Sequence, residues 1–359
     1  MPPITLREIA ERVGYSKNTV SLALRDARQI PQATRDKIHQ AAEEMGYRPN
    51  PLLAQLMAQL RNNQTAGFQA KLALVNAFHD RDAFSTHPTI PAYVRGCTGR
   101  GRKLGYEFDT FWLFDPQLRT ANWLRILRTR GIKGLVVVGL MDQPRLPAQF
   151  EPVCHEFPCV VTGLRTEDPA LSFCCTDHHN LTVMAFRQAL QLGYRRPALV
   201  MESRIDQLVE GRFCGAFMAA QRILPAADRL PLFLRVAEAR AQPDVFLKWF
   251  RRHQPDVILT LNNIVLNWLK SVQVFVPRDV GLIQLEWRPD RPDVAGMNQH
   301  NDVVGETAVD MVISQIHHNE TGVPAFPRAT LVGASWVDGP TVRPQTAANR
   351  RRRIVPARR

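Results

Sequence analysis

From Lys71 to about Asp338 the chain alternates short Val-, Leu- and Ile-rich runs with helical stretches. That rhythm limits its fold more than any other feature. Leu72–Asn76, Glu107–Leu113, Leu135–Leu140 and Cys159–Thr162 read as strands, as do Ala198–Glu202, Leu232–Val236, Val257–Leu261 and Gly281–Leu285. Asn180–Leu192, Gly211–Leu224 and Asp302–His318 carry helical periodicity. Such alternation predicts parallel sheet built from right-handed crossovers. About 270 residues of it exceed one comfortable core, so two α/β lobes are expected.

The first sixty residues follow a different rule. Thr5-Leu6-Arg7-Glu8 is a capping box, Leu6, Ile9, Ala10 and Val13 continue at helical spacing, and Gly14 ends the helix. Ser16 caps a second helix with Val20, Ala23 and Leu24 turned inward and Lys17, Asn18, Ser21, Leu22 and Arg25 outward. Two short helices about a glycine turn make a helix-turn-helix candidate, with Lys17 and Asn18 at the end that reaches base edges. A third helix is expected from about Gln32 to Met45. Asn50 and Pro51 then cap a short helix reaching Leu60, followed by a polar linker.

Charge supports a polyanion partner for this head. Residues 1–61 hold nine Lys/Arg against six Asp/Glu, and residues 341–359 hold seven Arg and no acid. Of the formal +13, only +3 is left for the body between them. Basic ends on a nearly neutral body suit nucleic acid better than a membrane, since no basic stretch is also apolar and amphipathic. The N-terminus lacks the pattern of an export signal, and the longest apolar stretch, Leu135 to Met141, is far too short for a span, so a cytoplasmic protein without membrane contact is expected. Six cysteines would stay reduced there.

The head residues quoted above, with Gly14-Tyr15-Ser16-Lys17-Asn18-Thr19-Val20-Ser21, Thr34-Arg35-Asp36-Lys37-Ile38 and Met45-Gly46-Tyr47-Arg48-Pro49-Asn50-Pro51, closely resemble the DNA-binding head of the lactose-repressor family (LacI/GalR type). Looser likeness extends to about Arg343 through Leu192-Gly193-Tyr194-Arg195-Arg196, Arg212-Phe213-Cys214-Gly215 and Val276-Pro277-Arg278-Asp279-Val280-Gly281. The resemblance implies a fold: an N-terminal all-α helix-turn-helix head (1–49) with a hinge helix (50–61) and a linker (62–70). An α/β two-lobed domain of the periplasmic-binding-protein-like type I (71–340) follows. Residues 341–359, basic and without apolar periodicity, are expected to be a disordered tail. The resemblance further implies a homodimer on a near-palindromic double-stranded operator and a small-molecule effector, a sugar, in the interlobe cleft. No cofactor is called for.

Site residues follow from the same resemblance. DNA contacts fall to Thr5, Ser16, Lys17, Asn18, Thr19, Ser21, Leu22 and Arg25 in the head and to Asn50, Leu53 and Leu56 in the hinge. Leu22 stands where the family usually has Arg, which limits it to apolar contact such as a thymine methyl. Leu56 matches the family's minor-groove wedge; the other reading makes Leu52, Leu53, Leu56 and Leu60 an ordinary amphipathic stripe. In the cleft, Arg212 matches the ligand-binding Arg, with Asn262 and Glu286 as companions, although an ion pair on a helix would equally use Arg212. Trp287 reads either as a stacking surface for a sugar or as lobe packing. Asn262-Asn263 replaces the usual Asn-Asp, and Glu286 a usual Asp.

Other chemistries find less support. Adjacent Cys174 and Cys175 on a strand would point to opposite faces and cannot grip one ion, and Cys154 and Cys159 lack zinc-knuckle spacing, so no metal is expected. Gly99-Arg100-Gly101-Arg102-Lys103-Leu104-Gly105 misses the dinucleotide fingerprint, and no catalytic motif is present. The expected function is a repressor controlled by a small molecule; a transport-type binding protein without DNA function is the alternative.

Overall fold

The computed structural model describes residues 6–24, 30–45, 47, 68–118 and 120–346; at Leu6, Arg7, Asn18, Ser21, Thr120 and Ala121 it describes the backbone alone. The chain divides into two units at Gly67/Phe68. Thr5, Arg25, Asn50, Leu53, Leu56 and the expected hinge helix lie outside the described residues, as do residues 347–359.

In the first unit, α1 (Leu6–Val13), α2 (Lys17–Ala23) and α3 (Gln32–Glu44) pack around Ile9, Val13, Val20, Ala23, Ile38 and Ala42. Gly14 adopts φ +74°, a conformation a side chain would strain, and this allows the tight α1–α2 turn. Ser16 is the N-cap of α2: its hydroxyl accepts the Thr19 amide at 3.0 Å. The far end of α2 is held by the His39 ring, whose Nε2 lies 3.2 Å from the Ala23 carbonyl.

The second unit holds two sheets. Lobe one is built from β1 (Ala70–Asn76), α4 (Ile90–Lys103), β2 (Tyr106–Trp112), α5 (Thr120–Thr129), β3 (Ile132–Val138), β4 (Cys159–Thr162) and β5 (Ser172–Thr176). The chain then enters lobe two with α6 (His178–Gln191), β6 (Pro197–Val200), α7 (Ser203–Leu208) and α8 (Arg212–Ala220). It continues through α9 (Val236–Ala241), α10 (Asp244–His253), β7 (Val257–Thr260), α11 (Ile264–Ser271), β8 (Gly281–Trp287) and β9 (Gly296–Asn298). Next α12 (Asn301–His317) and β10 (Ala329–Val332) return to lobe one, and β11 (Ser335–Val337) ends in lobe two. The first sheet, in order β10-β5-β4-β3-β1-β2, is wholly parallel; the second, β11-β9-β8-β7-β6, is parallel except at β11.

Each sheet is buried on both faces, as parallel sheets require. Ala73 and Val75 join one core of lobe one, while Leu72 and Leu74 join the other. Cys174 and Cys175 divide in the same way, and all six cysteines are free thiols in the interior. Among the described residues no group of His, Cys, Asp or Glu could hold a metal ion, and no helix is long and apolar enough to cross a membrane.

Two expectations need correction. Leu232–Val236 is no strand: it makes two isolated bridges, Phe233 with Val200 and Arg235 with Glu202, before α9 begins at Val236. Residues 341–346, expected to belong to a disordered tail, are held against lobe two. Thr341 is buried, its hydroxyl accepting the Ala295 amide at 2.9 Å and donating to the Leu282 carbonyl at 2.8 Å, and the Gln345 amide reaches the Leu192 carbonyl at 2.7 Å.

Candidate functional site

The carboxyl ends of parallel strands are where open α/β sheets bind ligands. Here the two sheets direct those ends at a shared cavity of about 570 Å³. Lobe one supplies Thr89 and Tyr93 at the start of α4, Gly139 to Met141 after β3 and Thr162 to Leu164 after β4. Lobe two supplies His178, Phe213, Arg240, Asn262, Gln284, Glu286 and Arg288, and Gln299 contributes from a connection between the lobes.

Local chemistry fixes these groups. His87 Nδ1 accepts the Thr89 and Ile90 amides at 3.1 and 3.3 Å, capping the start of α4 and orienting Thr89. Burial and the nearby Arg288 charge lower the His87 pKa. From α7, the buried Asp206 carboxylate accepts the Phe213 and Cys214 amides of α8, both at 3.1 Å, which seats the Phe213 ring. That ring lies 4.8 Å from the His178 imidazole. Burial, then the Arg212 charge, pulls the His178 pKa down to about 4, so the imidazole is neutral at neutral pH.

Polar groups of the cavity are incompletely satisfied. His178 Nδ1, Asn262 Nδ2 and Gln284 Oε1 are buried without a hydrogen-bond partner. Their other ends are fixed: Asn262 Oδ1 accepts from Arg240 Nη2 at 2.9 Å, and Gln284 Nε2 donates to the Leu261 carbonyl at 2.9 Å. Glu286 Oε1 accepts from Thr89 Oγ1 at 2.7 Å and from Asn301 Nδ2 at 3.4 Å. Removal from water raises the Glu286 pKa against those hydrogen bonds. Burial first, and the Glu286 charge second, keep the Tyr93 phenol protonated. Tyr93, Leu140, Leu164, Ile205, Phe213 and Leu261 complete an apolar wall. The arrangement suits a ligand with an apolar face and a few hydroxyl, amide or acidic groups.

Of the four sequence-derived cleft residues, Asn262 and Glu286 line this cavity. Arg212 does not: its guanidinium pairs with Glu210 and donates to Cys175 Sγ at 3.2 Å, beside the Phe173 ring. Trp287 is not among the residues that line the cavity; it lies in a small adjoining crevice that it shares with Gln284, Glu286, Arg288, Asn263, Arg291 and Val294. Arg240, Arg288, Gln284 and His178 join the site without any signal in the sequence. Arg240 is 22 residues before Asn262, and no spacing rule joins them; the crossover through α10 and β7 does.

In the head, Ser16 and Thr19 share a hydroxyl contact of 2.9 Å at the start of α2. Lys17 is exposed and Leu22 half-buried, whereas Val20 and Ala23 are in the core, as helical spacing requires.

Comparison with known proteins agrees with this division. Residues 5–50 match the profile of the bacterial regulatory proteins of the lacI family. The HTH-type transcriptional regulator MalR of Streptococcus pneumoniae (serotype 4, strain ATCC BAA-334 / TIGR4) is 21% identical over 281 residues, covering 77% of this chain and 82% of that protein. The complex of the transcriptional regulator CelR with cellobiose superposes with a TM-score of 0.55 at 18% identity, covering 94% of this chain and 99% of the other. The lac repressor dimer bound to operator and the anti-inducer ONPF gives 0.55 and 18% over 95% and 99%. At that identity the two structures bear on the fold: helix-turn-helix head, then a two-lobed periplasmic-binding-protein-like domain.

Proposed function

This chain belongs to the lacI family of bacterial regulatory proteins, and we propose that it acts as a dimeric repressor whose operator grip is set by a small hydroxyl-bearing effector in the interlobe cavity. It is a DNA-binding transcriptional regulator, and the helix-turn-helix head argues against a transport-type binding protein. The observation that carries the effector reading is that three residues lining the cavity, His178, Asn262 and Gln284, each keep a buried polar atom without a hydrogen-bond partner: Nδ1, Nδ2 and Oε1. Unmade hydrogen bonds of this kind each cost about 1–3 kcal/mol, which a ligand carrying matching groups would recover. Cellobiose in the CelR complex supports a carbohydrate as the ligand class.

On this reading Asn262, Glu286 and Arg240 hold the ligand's polar groups, and Arg212 and Trp287 shape the walls behind them. Lys17, Asn18 and Leu22 read bases, while Thr5, Ser16, Thr19, Ser21 and Arg25 position the head. Asn50, Leu53 and Leu56 act in the minor groove between the two half-sites, with Leu56 as the wedge. The protein works in the cytoplasm, where its operator is. An effector shifts the lobes only as far as its affinity differs between their arrangements.

The test is a thermal-shift screen of mono- and disaccharides beside operator binding. The expected result is at least one sugar that raises the melting temperature and changes operator affinity. Operator binding that no sugar alters, combined with no thermal shift, would refute the carbohydrate reading. Loss of sequence-selective DNA binding altogether would refute the larger one.

A further inference from the structure

The amino ends of the lobe-two strands, opposite the cavity, gather a second concentration of positive charge. We infer that this end binds a further segment of duplex DNA through its phosphates, independently of the operator held by the heads.

Arg196 is the organiser. Its Nη1 donates to the Ala227 carbonyl at 2.8 Å and its Nη2 to the His253 carbonyl at 2.7 Å. The loop before β6, the loop at 226–228 and the end of α10 are thereby tied together. Arg195, Arg229, Arg251 and Arg252 are the exposed neighbours of these tied positions. Lys248, also exposed, stands three and four residues before Arg251 and Arg252, so the three share one face of α10.

The acids at this end do not neutralise the face, because all three are already engaged. Asp228 pairs with Arg196 at 3.2 Å, Asp279 with Arg278 at 2.9 Å, and Asp256 accepts the Arg195 and Arg196 amides at 2.7 and 2.9 Å. Arg229 donates to the Leu224 and Arg222 carbonyls, which orient its guanidinium without cancelling its charge. Burial first, and then the charges of Arg252 and Arg196, hold His253 below its ordinary pKa.

Gln345 is bonded to Leu192 beside this face. Five exposed cations on one surface match a regular phosphate array better than a single small anion. Duplex DNA presents one charge per about 1.7 Å, and a regulator already works beside it.

The test uses the full chain. Operator duplex is immobilised and saturated with protein, and a labelled second duplex lacking the operator is offered over a range of salt. The protein is expected to capture it at low salt and release it as salt rises. The triple variant Arg195→Ala, Arg251→Ala, Arg252→Ala should capture at least tenfold less, with a salt slope shallower by about 2–3, since each neutralised phosphate adds about 0.9 to the slope. Operator affinity, measured in the same assay, should be unchanged, which separates this inference from the reading of the heads. No capture by the unaltered protein, or undiminished capture by the triple variant, would overturn it. Competition by polyglutamate stronger than by duplex would also overturn it, by assigning the face to an acidic protein segment.

Discussion

Thr89 and Glu286 meet across the gap between the lobes, Oγ1 donating to Oε1 at 2.7 Å. Thr89 stands at the start of α4 in lobe one and Glu286 near the end of β8 in lobe two, so one hydrogen bond fixes their separation beside the ligand cavity. Arg204–Asp142 at 2.7 Å, Arg165–Glu210 at 2.8 Å and Arg212 to Cys175 Sγ at 3.2 Å also join the lobes, the first two being solvent-exposed and screened. The Thr89–Glu286 bond and the part-buried Arg212–Cys175 contact are the ones that solvent screens least.

Thr89→Val keeps the shape of the side chain and removes the donor. A hydrogen bond to a charged group is worth about 1.5–3 kcal/mol, so the equilibrium between lobe arrangements should move tenfold or more toward the open one. Small-angle scattering of the ligand-free variant should give a larger radius of gyration than the parent protein. An identical radius would mean that other contacts hold the lobes.

Glu286→Gln tests the raised carboxyl pKa. In the fold this acid keeps its proton to higher pH than in the unfolded chain, so the fold loses stability as pH rises from the ordinary carboxylate range through the raised pKa. Above that window the penalty is constant, and below it the penalty is absent. The variant should therefore melt higher than the parent at neutral pH, and the gap should close on acidification to about pH 4. A gap independent of pH would exclude the carboxyl as its cause.

His178 has the opposite sign. Its folded pKa of about 4 lies below the ordinary 6.5, so the unfolded chain takes up a proton first as pH falls. Stability should drop between about pH 6.5 and 4, by up to about 3 kcal/mol from this group. His178→Asn should flatten that part of the melting profile, measured against the parent protein.

Much of this arrangement is legible in the chain. The long runs Leu135–Leu140 and Val257–Leu261 announce central strands because buried parallel strands are apolar on both faces. The edge strands are not legible: Ala329–Val332 is largely exposed and Ser335–Val337 has three residues, so neither needs an apolar run. Ser172–Thr176 escapes for another reason, since its burial rests on two cysteines and a phenylalanine between hydroxyl residues. In the site, Asn262 and Glu286 are visible through the family resemblance, and each follows or ends a recognisable strand. Arg240 and His178 sit on helices, and only the completed crossovers bring them to the same cavity.

Packing between α4 and α12 gives a further prediction. A Cβ added to Gly96 would come within 1.9 Å of the Asp302 carbonyl oxygen, and one on Gly305 within 2.2 Å of the Tyr93 carbonyl oxygen. Backbone cannot yield as a flexible side chain does, so the two glycines set how closely the helices cross. Gly305→Ala should lower stability by at least about 1–3 kcal/mol, read as a lower urea midpoint for the α/β unit. A midpoint unchanged within error would mean that the helices separate at little cost.

The head separates structural from recognition effects within a single turn of α2. Ser16 accepts the Thr19 amide, and Ser16→Ala leaves that donor without its cap, at about 1 kcal/mol. The core of the head is small, built mainly from Ile9, Val13, Val20, Ile38 and a few alanines, so such a loss is a large share of its stability. Ser16→Ala should thus weaken operator and nonspecific DNA binding by a similar factor, through the folded fraction, while the α/β unit melts as before. Asn18→Ala, two residues on, should leave the head's melting intact, since the change favours helix. If Asn18 reads an adenine edge, its loss should relax preference at one symmetric pair of operator positions by about 1–3 kcal/mol. Competition binding over single-base operator variants, run beside differential scanning calorimetry, distinguishes the two. Uniform loss across all sequences for Asn18→Ala would reduce that residue to positioning the backbone, and base reading in α2 would then rest on Lys17 and Leu22.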